Sequence, residues 1–212
     1  MRLLPFGLGL AVLSLVWLGP LQSMLRYSFA AHMSVHMAVV AVAAPLLAIG
    51  LAGSNFDPVR RAPHWFPPVP ASVLELLVVW AWHTPALHHA ARHTAPGLLL
   101  EQGSFLLSAL YVWLAAFGGD VRAREDRVGA GVVALLLTSM HMTLLGALLA
   151  LPPRPLYDHA SHQHASGSSG LDDQHLGGAI MLVAGGTSYL AGGLWLTLLL
   201  LRRRRGNRQE AP

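Results

Sequence analysis

The sequence predicts an all-α protein, a polytopic transmembrane bundle of about six spans. The first observation is composition: 54% of the residues are hydrophobic and 11% are charged, where soluble domains carry about 25% charged residues. The second is that the apolar residues fall into six runs, at about 3–19, 30–52, 71–87, 98–117, 129–151 and 177–201, each near the roughly 20 residues a helix needs to cross a bilayer. The third is that all 14 basic residues are arginine and sit between these runs rather than along one face. That is the placement of topogenic charge facing membrane lipid, not of a nucleic-acid surface, so no nucleic-acid partner is expected.

The run 3–19 follows Arg2 and has the look of a signal-peptide core. It is long for one, and no small-x-small site follows Gly19-Pro20, so a retained helix is expected. The run 30–52 carries His32, Met33, His36 and Met37 in its first turns. His32 and His36 are four residues apart and share a helix face, with Met33 and Met37 beside it. Ionisable groups inside a span are costly and face the bundle interior. Two imidazoles and two thioethers suit a soft or borderline transition metal, copper above all; the alternative is histidines hydrogen-bonded to neighbouring helices. Pro45 should kink this helix and free a backbone carbonyl.

The run 71–87 holds Glu75 near one end and Trp80, Trp82, His83 and Pro85 near the other, the tryptophans reading as an interfacial belt. Glu101 opens the fourth run. In the fifth, His141 lies between Met140 and Met142, about nine residues from the helix end and so roughly 14 Å deep. Asp172, Asp173 and Gln174 precede the sixth run. Acids there complement the helix dipole, or Asp173 orients a ligating histidine from behind; the same two readings apply to Glu101. The connection 152–175 is Gly/Ser-rich, and its His159, His162 and His164 form a loose metal-gathering tract at most. Residues 1–201 thus read as one transmembrane domain, and 202–212 as a basic cytoplasmic tail.

Orientation follows from arginine. Eleven of the fourteen lie on one side of the six-run scheme and only Arg26, Arg92 and Arg154 on the other, so both termini are expected in the cytoplasm. Eleven of the twelve histidines then fall on the outer side or in an outer helix half, His64 being the exception. There is no cysteine, so a metal site must use histidine, methionine, carboxylate or backbone. No phosphate-binding glycine loop, nucleophile elbow or catalytic triad pattern is present, so an enzyme is not expected.

Five signals occur in order: His32-x3-His36 followed by Ala44-Pro45-Leu46-Leu47, Trp82-His83-x-Pro85, His141 with Gly146 after it, and Asp173-Gln174-x3-Gly178. Together they resemble the integral-membrane CtaG-type cytochrome c oxidase assembly factors. The resemblance implies a bacterial inner-membrane protein that helps mature a haem–copper oxidase by supplying or seating copper. Its implied partners are cytochrome c oxidase subunits, with a periplasmic copper chaperone as candidate donor. The chain departs from the family in being short and in carrying Glu101-Gln102-Gly103 where relatives often show a histidine.

The expected site opens outward and holds one Cu(I), which suits His and Met donors. His36 and His141 are its core ligands, His32, His83, Met33 or Met37 complete it, and Asp173 and Glu101 support it. The rival readings are a haem-binding electron carrier, a metal permease, and a metal-free scaffold.

Overall fold

The computed structural model describes residues 2–25, 28–157 and 170–209. Arg26 and the histidine tract at His159, His162 and His164 lie outside the described residues. Helices α1 (Leu3–Leu18) and α2 (Leu21–Met24) precede α3 (Phe29–Met37), which runs through a π-helical segment (Ala38–Ala43) into α4 (Ala44–Leu51). Then come α5 (Pro58–Arg61), a 3-10 turn (Pro63–Trp65), α6 (Pro68–Trp82), α7 (Pro85–His93), α8 (Ala95–Phe117), α9 (Val121–Ala150) and α10 (Gly170–Gln209). Every regular element among the described residues is helical.

Four helical stretches are long and apolar enough to cross a membrane: Phe29–Leu51, Ala95–Phe117, Arg127–Ala150 and Gly170–Arg202. The other two expected spans correspond to α1, of 16 residues, and α6, of 15. These are about 24 and 22 Å long at ~1.5 Å per residue, short of the ~30 Å hydrocarbon layer. The run read as 71–87 stops at Trp82 because Pro85 drives the residue before it out of the helical region; Thr84 is extended, with ψ 142°. The chain restarts there as the separate helix α7.

The stretch 29–51 is the most buried of the four. Pro45 has no N–H, so the Ala41 carbonyl one turn back loses its helical partner. Ser188 Oγ of α10 donates to that carbonyl at 2.7 Å, and the Tyr189 hydroxyl reaches the Val40 carbonyl at 3.3 Å. The π turn lies immediately before this proline. The start of α3 is held by Ser28, whose Oγ accepts from Ala31 N at 3.0 Å and donates to Asp173 Oδ1 at 2.8 Å. Asp173 also accepts from the Phe29 and Ala30 amides, at 2.5 and 3.3 Å. A carboxylate on unsatisfied helix N–H groups is favourable in both hydrogen bonding and dipole.

Helix α10 packs along α9 and against α3, while α6 packs on α8 and α9. The α9–α10 approach is set by glycine. A Cβ on Gly146 would sit 2.5 Å from Leu182 N, and one on Gly178 2.5 Å from Ala150 N. Small residues that let backbones meet are the usual glue between helices in lipid, where burial of apolar surface drives no association. Large apolar side chains such as Leu99, Leu107, Leu144 and Leu148 remain exposed on the outside of the bundle, as a bilayer solvent permits.

Candidate metal centre

Four imidazoles converge inside the bundle. His32 and His36 come from α3, His83 from the C-cap of α6, and His88 from α7, and all four are buried. Ring centroids are 6.4 Å apart for His32–His36, 6.2 Å for His32–His83, 5.2 Å for His32–His88 and 5.5 Å for His36–His83. A metal bound by one nitrogen of each of two imidazoles at ~2 Å leaves their centroids roughly 4.5 to 6.5 Å apart. The spacing therefore fits a shared ion. A nitrogen each of His32 and His88 and a carboxylate oxygen of Glu101 also lie within 4.8 Å of one another.

Hydrogen bonds divide the group into two halves. In the first half, Arg92 of α7 is buried. Its Nη1 donates to the Leu25 carbonyl at 2.9 Å, and its Nη2 donates to Glu101 Oε2 at 2.9 Å and to His32 Nδ1. A guanidinium only donates, so His32 Nδ1 is a lone pair and its proton sits on Nε2, which faces Glu101 Oε1 at 3.8 Å. Gln102 Nε2 adds a bond to Glu101 Oε2 at 3.3 Å, and Trp17 Nε1 donates to Gln102 Oε1 at 3.3 Å. Burial pushes the Arg92 guanidinium down from its usual range, and the Glu101 carboxylate opposes that shift. Arg92 and Glu101 cancel in charge, so this half is a neutral, polar wall.

The second half presents open donors. His83 Nδ1 lies 2.6 Å from the Val79 carbonyl. It must donate there, which fixes the tautomer and leaves Nε2 as a lone pair. Orienting one ring nitrogen on a carbonyl is how proteins prepare the other for a metal. His83 Nε2 and both nitrogens of His36 are buried with no hydrogen-bond partner among the described residues. Each such atom costs about 1–3 kcal/mol if nothing binds it. Phe105 packs against His36 with centroids 3.9 Å apart. Above, Tyr157 stacks on Phe29 at 4.9 Å and touches His88 at 4.3 Å. Its hydroxyl donates to the His83 carbonyl at 2.7 Å, and burial pushes this phenol up, so it stays a donor.

Of the remaining expected site residues, Glu101 is joined to this group by its contacts with Arg92 and His32. His141 of α9 is buried, and both its nitrogens lack a partner among the described residues. No ring contact joins it to the four-histidine group among those residues. Met33 and Met37 are buried on the side of α3 that faces α10. Met33 Cγ is 3.0 Å from where a Cβ on Gly177 would be, and Met37 Sδ 3.3 Å from where one on Gly185 would be. Asp173 bonds to the start of α3, the helix that carries His32 and His36, whereas Glu101 is inside the group. Sequence reasoning left His88 and Arg92 out of the site. Their signal was legible: Thr84-Pro85 is a helix start, and His88 and Arg92 are four apart on the helix that follows.

Over residues 1–203 the sequence matches the family model described as cytochrome c oxidase caa3 assembly factor. No curated protein and no solved structure matches the chain.

Proposed function

The chain belongs to the cytochrome c oxidase caa3 assembly factor family, and from that premise we propose that it assists oxidase assembly by holding copper, as Cu(I), in the buried histidine group. One observation carries the reading: three nitrogens of His36 and His83 are buried without a hydrogen-bond partner among the described residues, on rings that stand 5.5 Å apart. Ion charge favours the monovalent metal. The Glu101–Arg92 pair is already neutral, so the available donors are neutral imidazoles. The cost of burying an ion among neutral donors rises steeply with its charge. Imidazole donors suit copper among the borderline metals, and the cost of charge in the buried site points to its monovalent form.

His36 and His83 are the primary ligands in this reading, with His88 on the far side of His32, 5.2 Å from it between ring centroids. His32 joins only if Arg92 releases its Nδ1. His141 enters as a separate buried imidazole, and Met33 and Met37 pack the helix against α10. The copper is cargo for the oxidase, not a catalyst, and the partner is an oxidase subunit presented in the same membrane, with a periplasmic copper chaperone as donor.

The topology that goes with this function has six spans. Helices α1 and α6 cross with the help of the residues flanking them, both termini are cytoplasmic, and the histidine group lies in the outer half of a bacterial inner membrane. The eleven-to-three arginine split supports that orientation. A deletion strain tests the function. Its oxidase polypeptides should persist while oxidase activity falls at limiting copper and partly returns when copper is added. Activity equal to wild type at limiting copper would reject the assembly role.

A further inference from the structure

Helix α7 has two flanks. His88, Ala91 and Arg92 are buried against the bundle. One position further round, His89 and His93 are both exposed, and their ring centroids are 4.1 Å apart. We propose that His89 and His93 form a surface chelate for a divalent borderline transition-metal ion, Cu(II) before others. The site is distinct from the buried group and does not depend on that group binding copper.

The pair has the backbone spacing a chelate needs, and its two exposed rings have only to open from 4.1 Å to about 4.5 Å between centroids to share an ion. Residues four apart on a helix present their side chains on one face at one end-to-end spacing. That spacing is held here because the neighbouring flank of α7 is locked into the core, with Arg92 bonded to Leu25 and Glu101. Neither ring hydrogen-bonds to another described residue, so no bond has to break when an ion enters. Two neutral imidazoles side by side offer neighbouring coordination positions and leave the others to water. That arrangement suits Cu(II) or Ni(II), which accept tetragonal nitrogen and oxygen donors, and among divalent ions such donors favour Cu(II). The exposed ion keeps part of its hydration, so it avoids the burial cost that selects a monovalent ion inside. Arg92 is the nearest cation on the helix, and its charge is already paired with Glu101.

The test uses the full chain in detergent with His159, His162 and His164 replaced by alanine, titrated with Cu2+ and followed by electron paramagnetic resonance. We expect one equivalent whose spectrum shows two nitrogen ligands. That equivalent should be lost in His89→Ala and equally in His93→Ala, and kept in His64→Ala. It should also be kept in His36→Ala/His83→Ala, which separates this site from the buried one: loss of the buried copper leaves the surface equivalent in place. A second readout needs no substitution at the pair. Diethyl pyrocarbonate should label His89 and His93 in the free protein, and Cu2+ should protect both. If either single substitution keeps the equivalent, or labelling is the same with and without Cu2+, the proposal is overturned.

Discussion

Replacing Arg92 with methionine isolates the electrostatics of the site. Methionine keeps much of the aliphatic stem and removes the guanidinium, so packing changes less than charge. Three acceptors lose a donor at once: the Leu25 carbonyl and Glu101 Oε2, each at 2.9 Å, and His32 Nδ1, with Glu101 Oε2 keeping only the 3.3 Å bond from Gln102. Glu101 is fully buried, and a buried carboxylate left without its partner costs about 3–5 kcal/mol. For a chain of this size that corresponds to a fall in Tm on the order of 10 °C. Glu101→Gln alone should also destabilise, because it strands the buried cation. The double variant Arg92→Met/Glu101→Gln has no stranded charge and should recover stability, with a coupling of up to about 3 kcal/mol between the two sites. Thermal unfolding of the four proteins in one detergent measures the cycle. If the two losses simply add, the ion pair is not what holds this half of the site together.

Lengthening the side chain at Gly146, as in Gly146→Leu, must push α9 off Leu182 and should cost at least about 1–3 kcal/mol, read as loss of folded protein in detergent. Asp173→Asn keeps the shape of the cap on α3 and removes its charge, so it should lower stability by about 1 kcal/mol in a thermal melt; an unchanged melt would show that the cap contributes nothing. Reporter fusions at the C-terminus and in the 152–175 connection should report cytoplasm and exterior respectively. An exterior C-terminus would overturn the orientation drawn from the arginines.

Much of the centre was legible in the chain because helical spacing is simple. The separation of four residues between His32 and His36 put both on one face of one helix, and Pro45 announced the irregular turn below them. Glu101 was visible as an acid at the start of an apolar run. Two features, at His83 and His141, depended on information that spacing does not carry. His83 gained its importance from a local bond to the Val79 carbonyl, which exists only because the helix ends there. His88 and Arg92 were missed although their spacing was legible, because the third run was read across Pro85, where a new helix begins. For His141, depth along a helix was the only guide, and depth alone names no neighbouring ligand. The methionines follow the same logic: adjacency to the histidines in sequence set them about 100° round the helix, towards the glycines of α10.

The copper content of the protein itself tests the central claim. Protein purified without oxygen from copper-supplied membranes should carry one Cu(I) that resists a mild chelator. His36→Ala and His83→Ala should each lose it while still inserting and melting cooperatively. The double variant should be no worse than either single, because one site is removed only once. His141→Ala, measured alongside, should retain it. Stoichiometric Cu(I) in both the His36→Ala and His83→Ala proteins would contradict the account and leave these buried histidines a structural role.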